Sequence, residues 1–204
     1  MTVEEEIRSI IERESRAVSS IPTDESLAKA VDMIYEYTHE RGGKVIMSGM
    51  GKAGQIAVNM ATTMSSTGTP AIFLHPAEAQ HGDLGVIQRN DILVLISNSG
   101  KTREILEIIM LAKGLYEDIP IIVITGNKEG ELTTMADLVI WTGNPAEVCP
   151  LGLTPTTSTT VMTVIGDVIV VLLMKRIGFT AEDYAKRHHG GYLGGKSRSI
   201  SGKK

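Results

Sequence analysis

Lys44-Val45-Ile46-Met47-Ser48-Gly49-Met50-Gly51-Lys52-Ala53-Gly54 decides the fold. A short apolar run, Val45-Ile46-Met47, breaks into a glycine-rich turn, and the residues that follow recur at helical spacing, so the stretch predicts strand, tight turn and helix. The same alternation repeats down the chain. Further apolar runs lie at Ala71-Ile72-Phe73-Leu74, 92–96, 121–124 and 138–141, with crossover helices expected over 54–66, 102–113 and 132–136. These runs are apolar at every position instead of alternating, which requires cover on both faces of the sheet, the pattern of parallel strands joined by helices. The expected fold class is α/β, a three-layer αβα sandwich around a five-stranded parallel sheet.

Working outward, Val3, Ile7, Ile10, Ile11 and Val18 recur at helical spacing, as do Leu27, Val31, Ile34 and Thr38 after the Ser19-Ser20-Ile21-Pro22 break. Two amphipathic helices are therefore expected before the sheet. Beyond it, 155–176 is ambiguous in composition, because Val168-Ile169-Val170-Val171 favours strand, but its length and its Thr/Ser-rich start favour a helix. After Gly190 a Gly/Lys/Ser-rich tail is expected to be partly mobile. The 204 residues fit one domain: helices over 1–40, an α/β core over 44–177, and a C-terminal helix and tail over 178–204.

A formal net charge of −4 leaves no basic field for a nucleic-acid backbone or an anionic membrane, so any anionic ligand must be held by a few local donors. The N-terminus, Met-Thr-Val-Glu-Glu-Glu, is acidic where a secretion signal is basic. The stretch 161–174 falls short of the roughly 20 apolar residues a span needs and contains Asp167, so it reads as a buried element. The single Cys149 excludes an internal disulfide, fits a reducing compartment, and reads as a buried packing residue. A cytoplasmic protein is expected.

Five constellations could carry chemistry. Gly49 to Gly54 spells a dinucleotide fingerprint, but the acid expected about 20 residues on, at the end of the second strand, is missing. That strand ends in Leu74-His75-Pro76, with Glu78 out in the following loop. The motif carries Lys52 instead, beside Gly51 at a helix N-terminus, where an ammonium can hold or polarise an anionic oxygen. Ser97-Asn98-Ser99-Gly100-Lys101-Thr102 ends the third strand and opens a helix, placing hydroxyls among free backbone amides. In a flavodoxin-like strand order the first and third strands are neighbours, so these two turns would meet at the topological switch point. His75, His81 and Asp83 crowd one loop, whose spacing matches no specific zinc pattern; acid/base or hydroxyl contact is the better reading. Glu147 precedes a hydroxyl cluster at Thr156 to Thr160, and His188-His189-Gly190-Gly191 follows a short predicted helix.

Taken in order, Ser-Gly-Met-Gly-Lys at 48–52, His-Pro-Ala-Glu-Ala at 75–79, His-Gly-Asp-Leu-Gly at 81–85, Ser-Asn-Ser-Gly at 97–100, Glu-Val-Cys-Pro-Leu at 147–151 and Pro-Thr-Thr-Ser-Thr-Thr at 155–160 resemble the sugar isomerase (SIS) domain of the arabinose 5-phosphate isomerases. The resemblance covers nearly the whole chain. It implies aldose–ketose isomerisation between D-ribulose 5-phosphate and D-arabinose 5-phosphate, the first step toward the lipopolysaccharide sugar Kdo, with no cofactor and no metal. It implies Lys52, Glu104, Glu147, His81 and His188 as catalytic residues, with Glu104 first choice as base. Gly51, His75, Ser97, Asn98, Ser99, Thr102, Thr156 and Ser158 would bind substrate. A homotetramer with shared active sites is implied, as is feedback by a sugar nucleotide. Two departures stand out: the tandem CBS-type regulatory domains of longer members are not in this sequence, and His189 stands where the family has proline. Two other readings are a non-catalytic sugar-phosphate-binding regulatory module and a nicotinamide-dependent oxidoreductase.

Overall fold

The computed structural model describes residues 1–200. Two helices, Val3–Ser19 (α1) and Glu25–Tyr35 (α2), the latter prolonged by a π turn at Glu36–Glu40, precede the sheet. The chain then runs Val45–Gly49 (β1), Gly51–Ser66 (α3), Ala71–Phe73 (β2), Pro76–Ala79 (α4), a 3₁₀ turn at Asp83–Val86, Ile92–Ile96 (β3), Arg103–Leu115 (α5), Ile121–Thr125 (β4), Glu131–Met135 (α6) and Leu138–Trp141 (β5). Thr157–Arg176 (α7), Ala181–Arg187 (α8) and Gly191–Ile200 (α9) complete it.

All five strands are parallel in the order β2-β1-β3-β4-β5, the flavodoxin-like arrangement, with Gly49 opposite Ile96 and Ile96 opposite Ile124. β1, β3 and β4 are buried along their whole length. Successive residues feed two cores. Val45, Met47, Val94, Ile96, Ile122 and Ile124 pack with α2, α3 and α7, while Ile46, Leu93, Leu95, Ile121 and Val123 pack with α5 and α6. Each fully buried side chain of this size contributes about 1.5–3 kcal/mol, so a sheet without polar alternation is stable only between two helical layers.

Three expectations are refined. α3 begins at Gly51, earlier than 54, because Gly51 takes φ +58° and itself enters the first turn, which puts Lys52 on the helix. Within 155–176 the helix is Thr157–Arg176, packed on α3, because Val161, Ile165, Ile169 and Leu173 fall on one helical face and enter the core together. The tail after Gly190 is helical as α9, with Gly194 and Ser197 buried; residues 201–204 of that expected tail lie outside the described residues. α1 has the expected amphipathic form and a capping box between Thr2 and Glu5, yet none of its residues is buried. Val3, Ile7 and Ile11 are 69%, 53% and 61% exposed, so its apolar stripe is uncovered within one chain.

Candidate active site

Three helix starts face the carboxyl edge of the sheet. β1 passes to α3 through Gly49, and a Cβ on Gly54 would lie 2.6 Å from the Gly49 carbonyl oxygen, so only glycine lets the helix press against the strand end. Met50 at the N-cap makes no side-chain capping bond, which leaves the first amides of α3 open beside the exposed Lys52. On the neighbouring strand Ser97 is buried, and its hydroxyl pairs with that of Thr102 at 2.8 Å. Thr102 is the N-cap of α5 but gives it no side-chain bond, so the first amides of α5 are open as well. The Lys101 N–H donates to Ser99 Oγ at 3.2 Å, closing the turn.

Lys52, Ser97, Asn98, Ser99, Thr102 and Ser158 line one cleft of about 300 Å³. Hydroxyls, open helix amides and a single ammonium make it anion-adapted without any net positive charge on the protein. A polar annex lined by Asn144 and Glu147 adjoins it and shares Asn98 and Pro155.

Sequence reasoning missed the support behind this turn. Gly126 N–H donates to the Asn98 carbonyl at 3.1 Å, and Asn127 Nδ2 donates to the Ser99 carbonyl at 2.9 Å. A Cβ on Gly130 would sit 2.7 Å from Gly100 Cα, so the turns after β3 and β4 interlock backbone to backbone. The signal available was Thr125-Gly126-Asn127 directly after a strand, an Asx-turn composition, and Asn127 Oδ1 does accept from the Glu129 N–H at 3.0 Å.

The third helix start is closed. One Glu147 carboxylate oxygen accepts from the Thr156 N–H at 2.7 Å, the Thr156 hydroxyl at 2.8 Å and the Ser158 N–H at 3.3 Å. Burial works against its charge, but these bonds from Ser158 and Thr156 prevail and hold the carboxyl below the usual carboxylate range. Thr156 is thereby engaged with Glu147 and lies outside the cleft lining, whereas Ser158 is in it. Cys149 differs from the expected buried packing residue: it is half-exposed in the turn after Glu147. The Thr154 hydroxyl and the N–H groups of Thr154, Leu153 and Leu151 point at its sulfur and hold the thiol down to about 6.

Other expected residues stand apart within this chain. Glu104 is half-buried in the first turn of α5, outside the cleft lining. Gly51 opens α3 between the cleft residues Met50 and Lys52 without lining the cleft itself, and His75 and His81 are exposed on either side of α4. His188 ends α8 beyond the far end of α7, stacked on Tyr184 with ring centroids 3.7 Å apart and Nδ1 3.0 Å from the Tyr184 carbonyl. Among the described residues no three of His, Cys, Asp and Glu converge as a metal site. β2 ends at Phe73, and the nearest acid beyond it, Glu78, is exposed on α4.

Fold and cleft together define an α/β protein of flavodoxin-like strand order with an anion-adapted cleft at its switch point. The chain belongs to the SIS domain family, which residues 38–172 match. It is 45% identical over 186 residues to the arabinose 5-phosphate isomerase KdsD of Salmonella typhi, an alignment that covers 91% of this chain and 55% of that one. The chain thus spans about half the length of the curated relatives it matches. Among solved structures, a protein described as a candidate phosphosugar isomerase involved in capsule formation, from Bacteroides fragilis, superposes with a TM-score of 0.92 at 58% identity, covering 94% of this chain and 100% of that one. A protein of Escherichia coli CFT073 in complex with arabinose 5-phosphate superposes with a TM-score of 0.84 at 33% identity, covering 92% and 100%.

Proposed function

We propose that this chain is an aldose–ketose isomerase interconverting D-ribulose 5-phosphate and D-arabinose 5-phosphate through an enediolate. One observation carries the reading: Lys52 and the hydroxyls of Ser97, Ser99 and Thr102 face a single cleft at two uncapped helix starts. The names of the curated relatives and the arabinose 5-phosphate bound by the Escherichia coli protein support the choice of sugar.

Moving a carbonyl from C2 to C1 requires removal of a C1 proton, stabilisation of the enediolate, proton transfer between the two oxygens and return of a proton at C2. In this reading the amides and hydroxyls around Ser97, Ser99, Thr102 and Ser158 hold the phosphate, so binding energy from the unreactive end orients the reacting end. Lys52 stabilises the oxyanion, a type of contact whose loss costs about 2.7–4 kcal/mol in other enzymes. Glu104 is the proposed base, worth roughly 10²- to 10⁴-fold. Glu147, His81 and His188 take the hydroxyl contacts, proton shuttling and ring opening. Because His188 lies beyond the far end of α7, it would act in the cleft of another copy, within a homotetramer whose sites are shared between subunits. The reading extends to a cytoplasmic enzyme with residues 1–204 as one sugar isomerase unit, supplying Kdo for lipopolysaccharide and open to inhibition by a sugar nucleotide.

Incubation with ribulose 5-phosphate in cofactor-free buffer tests it. Arabinose 5-phosphate should form, and Glu104→Gln should abolish most turnover while leaving the fold intact. Binding without product would instead mark a sugar-phosphate-binding regulatory module, and a requirement for nicotinamide would mark an oxidoreductase.

A further inference from the structure

α1 is an anomaly by packing: it buries no side chain, yet two adjacent residues in it reach the segment that carries Glu147. Arg13 Nη2 donates to the Glu147 carbonyl at 2.9 Å. Glu14 Oε1 accepts from the Thr157 hydroxyl at 2.8 Å, and Thr157 Oγ1 in turn accepts from the Val148 N–H at 3.0 Å. The peptide between Glu147 and Val148 is therefore held at both its polar atoms, the carbonyl by Arg13 and the N–H by Thr157 under the control of Glu14. Thr157 is 1% exposed, so its hydroxyl is fixed by these two partners without competition from water.

The second carboxylate oxygen of Glu14 is buried and has no hydrogen-bond partner. Such an unpartnered buried oxygen is costly, so the contact of Glu14 with Thr157 is kept against a penalty. α1 also packs on α7, but between α1 and the segment leading to Glu147 an open cleft of about 290 Å³ is lined by Arg13, Arg16, Thr142 and Pro145.

We propose that Arg13 and Glu14 are positioning residues that set the Glu147 peptide, and through it the Glu147 carboxylate, for turnover at the cleft. The proposal rests on the isomerase reading of that cleft. It makes the N-terminal helix part of the active-site machinery instead of a peripheral attachment.

The test uses the full chain with Glu14→Ala, Glu14→Gln and Thr157→Val, kinetics on ribulose 5-phosphate, and amide hydrogen exchange. Glu14→Ala should lower kcat by about tenfold or more with KM changed less than about twofold, because Ser97, Ser99 and Thr102, three of the four residues placed at the phosphate, lie at the end of β3 and the start of α5, away from α1 and α7. Glu14→Gln keeps an oxygen for the Thr157 hydroxyl and should restore kcat to within about threefold; Thr157→Val should behave like Glu14→Ala. In a Glu147→Gln background, Glu14→Ala should add less than about a further twofold loss. Equal losses in both backgrounds, or a rise in KM matching the fall in kcat/KM, would reduce the pair to a tether and overturn the proposal. Val148 amide protection should drop in Glu14→Ala while the amides of β3 stay protected, and unchanged Val148 protection would also overturn it. If the wild-type protein shows no turnover, the isomerase reading fails, and Val148 exchange in Glu14→Ala and in an added Arg13→Ala variant decides whether Arg13 and Glu14 hold the Glu147 peptide.

Discussion

Glu147 joins structure and chemistry in one side chain, because the carboxylate that caps α7 also faces the polar annex of the cleft. Its acidity is strengthened in the folded protein, so the stability it contributes is complete above the ordinary carboxylate value and is lost as pH falls through its lower folded value. Glu147→Gln should therefore lower stability at neutral pH by about 0.5–2 kcal/mol, the usual worth of a helix cap. Thermal melts should show the gap between the two proteins closing as pH falls from the ordinary carboxylate value through the lower folded value of Glu147. Two residues on, Cys149 offers a probe of the same turn. Its thiolate should dominate at neutral pH, so alkylation by iodoacetamide should reach half its limiting rate at about 6, where an ordinary thiol would do so near pH 8.5. Thr154→Val removes the first of the donors at the sulfur and should move that midpoint upward.

At the level of elements, the turn into α3 depends on close approach. The Gly49 carbonyl would stand 2.6 Å from a Cβ on Gly54, so Gly54→Ala should force β1 and α3 apart at a cost of about 1–3 kcal/mol. The same shift should carry Lys52 off the cleft, so kcat should fall further than the loss of stability explains; unaltered kcat in the folded fraction would show that Lys52 tolerates the displacement. This corner was legible in the sequence because everything it needs lies within eleven consecutive residues, and the sheet was legible because unbroken apolar runs admit only a two-sided burial. The Ser97 to Thr102 turn was legible for the same local reason. The brace from Gly126 and Asn127, the Glu147 cap and the contacts of Arg13 and Glu14 were not, since each links segments whose spacing leaves no periodic trace. Hydrophobic periodicity gave α1 its correct form but could not say what covers its apolar face. Length settled α7 against the strand propensity of Val168 to Val171, because its buried side is a helical face of Val161, Ile165, Ile169 and Leu173.

The molecule as a whole leaves two things that a single chain does not reconcile. Apolar side chains on α1 and on the outer side of α7, Val168 and Val171 among them, remain exposed, and a helix apolar on all sides calls for cover on all sides. His188 lies with Tyr184 beyond the C-terminal end of a 20-residue helix whose N-terminal turn contributes Ser158 and Thr159 to the cleft. Such a helix is about 30 Å long, far beyond the reach of an imidazole. A second copy laid against the exposed faces would resolve both at once, covering apolar surface and bringing its own His188 toward the cleft. The consequence is measurable by complementation. Lys52→Ala and His188→Ala proteins should each be nearly inactive as homo-oligomers, yet after subunit exchange a mixed assembly contains some sites with both native residues. A mixture of equal parts should recover up to about a quarter of wild-type turnover if each site draws one residue from each of two chains and exchange is random, since half of the donors at each position are native. Recovery that stays at the level of the separate variants, with exchange verified by mass spectrometry, would mean that Lys52 and His188 serve a site within one chain, or that His188 serves none.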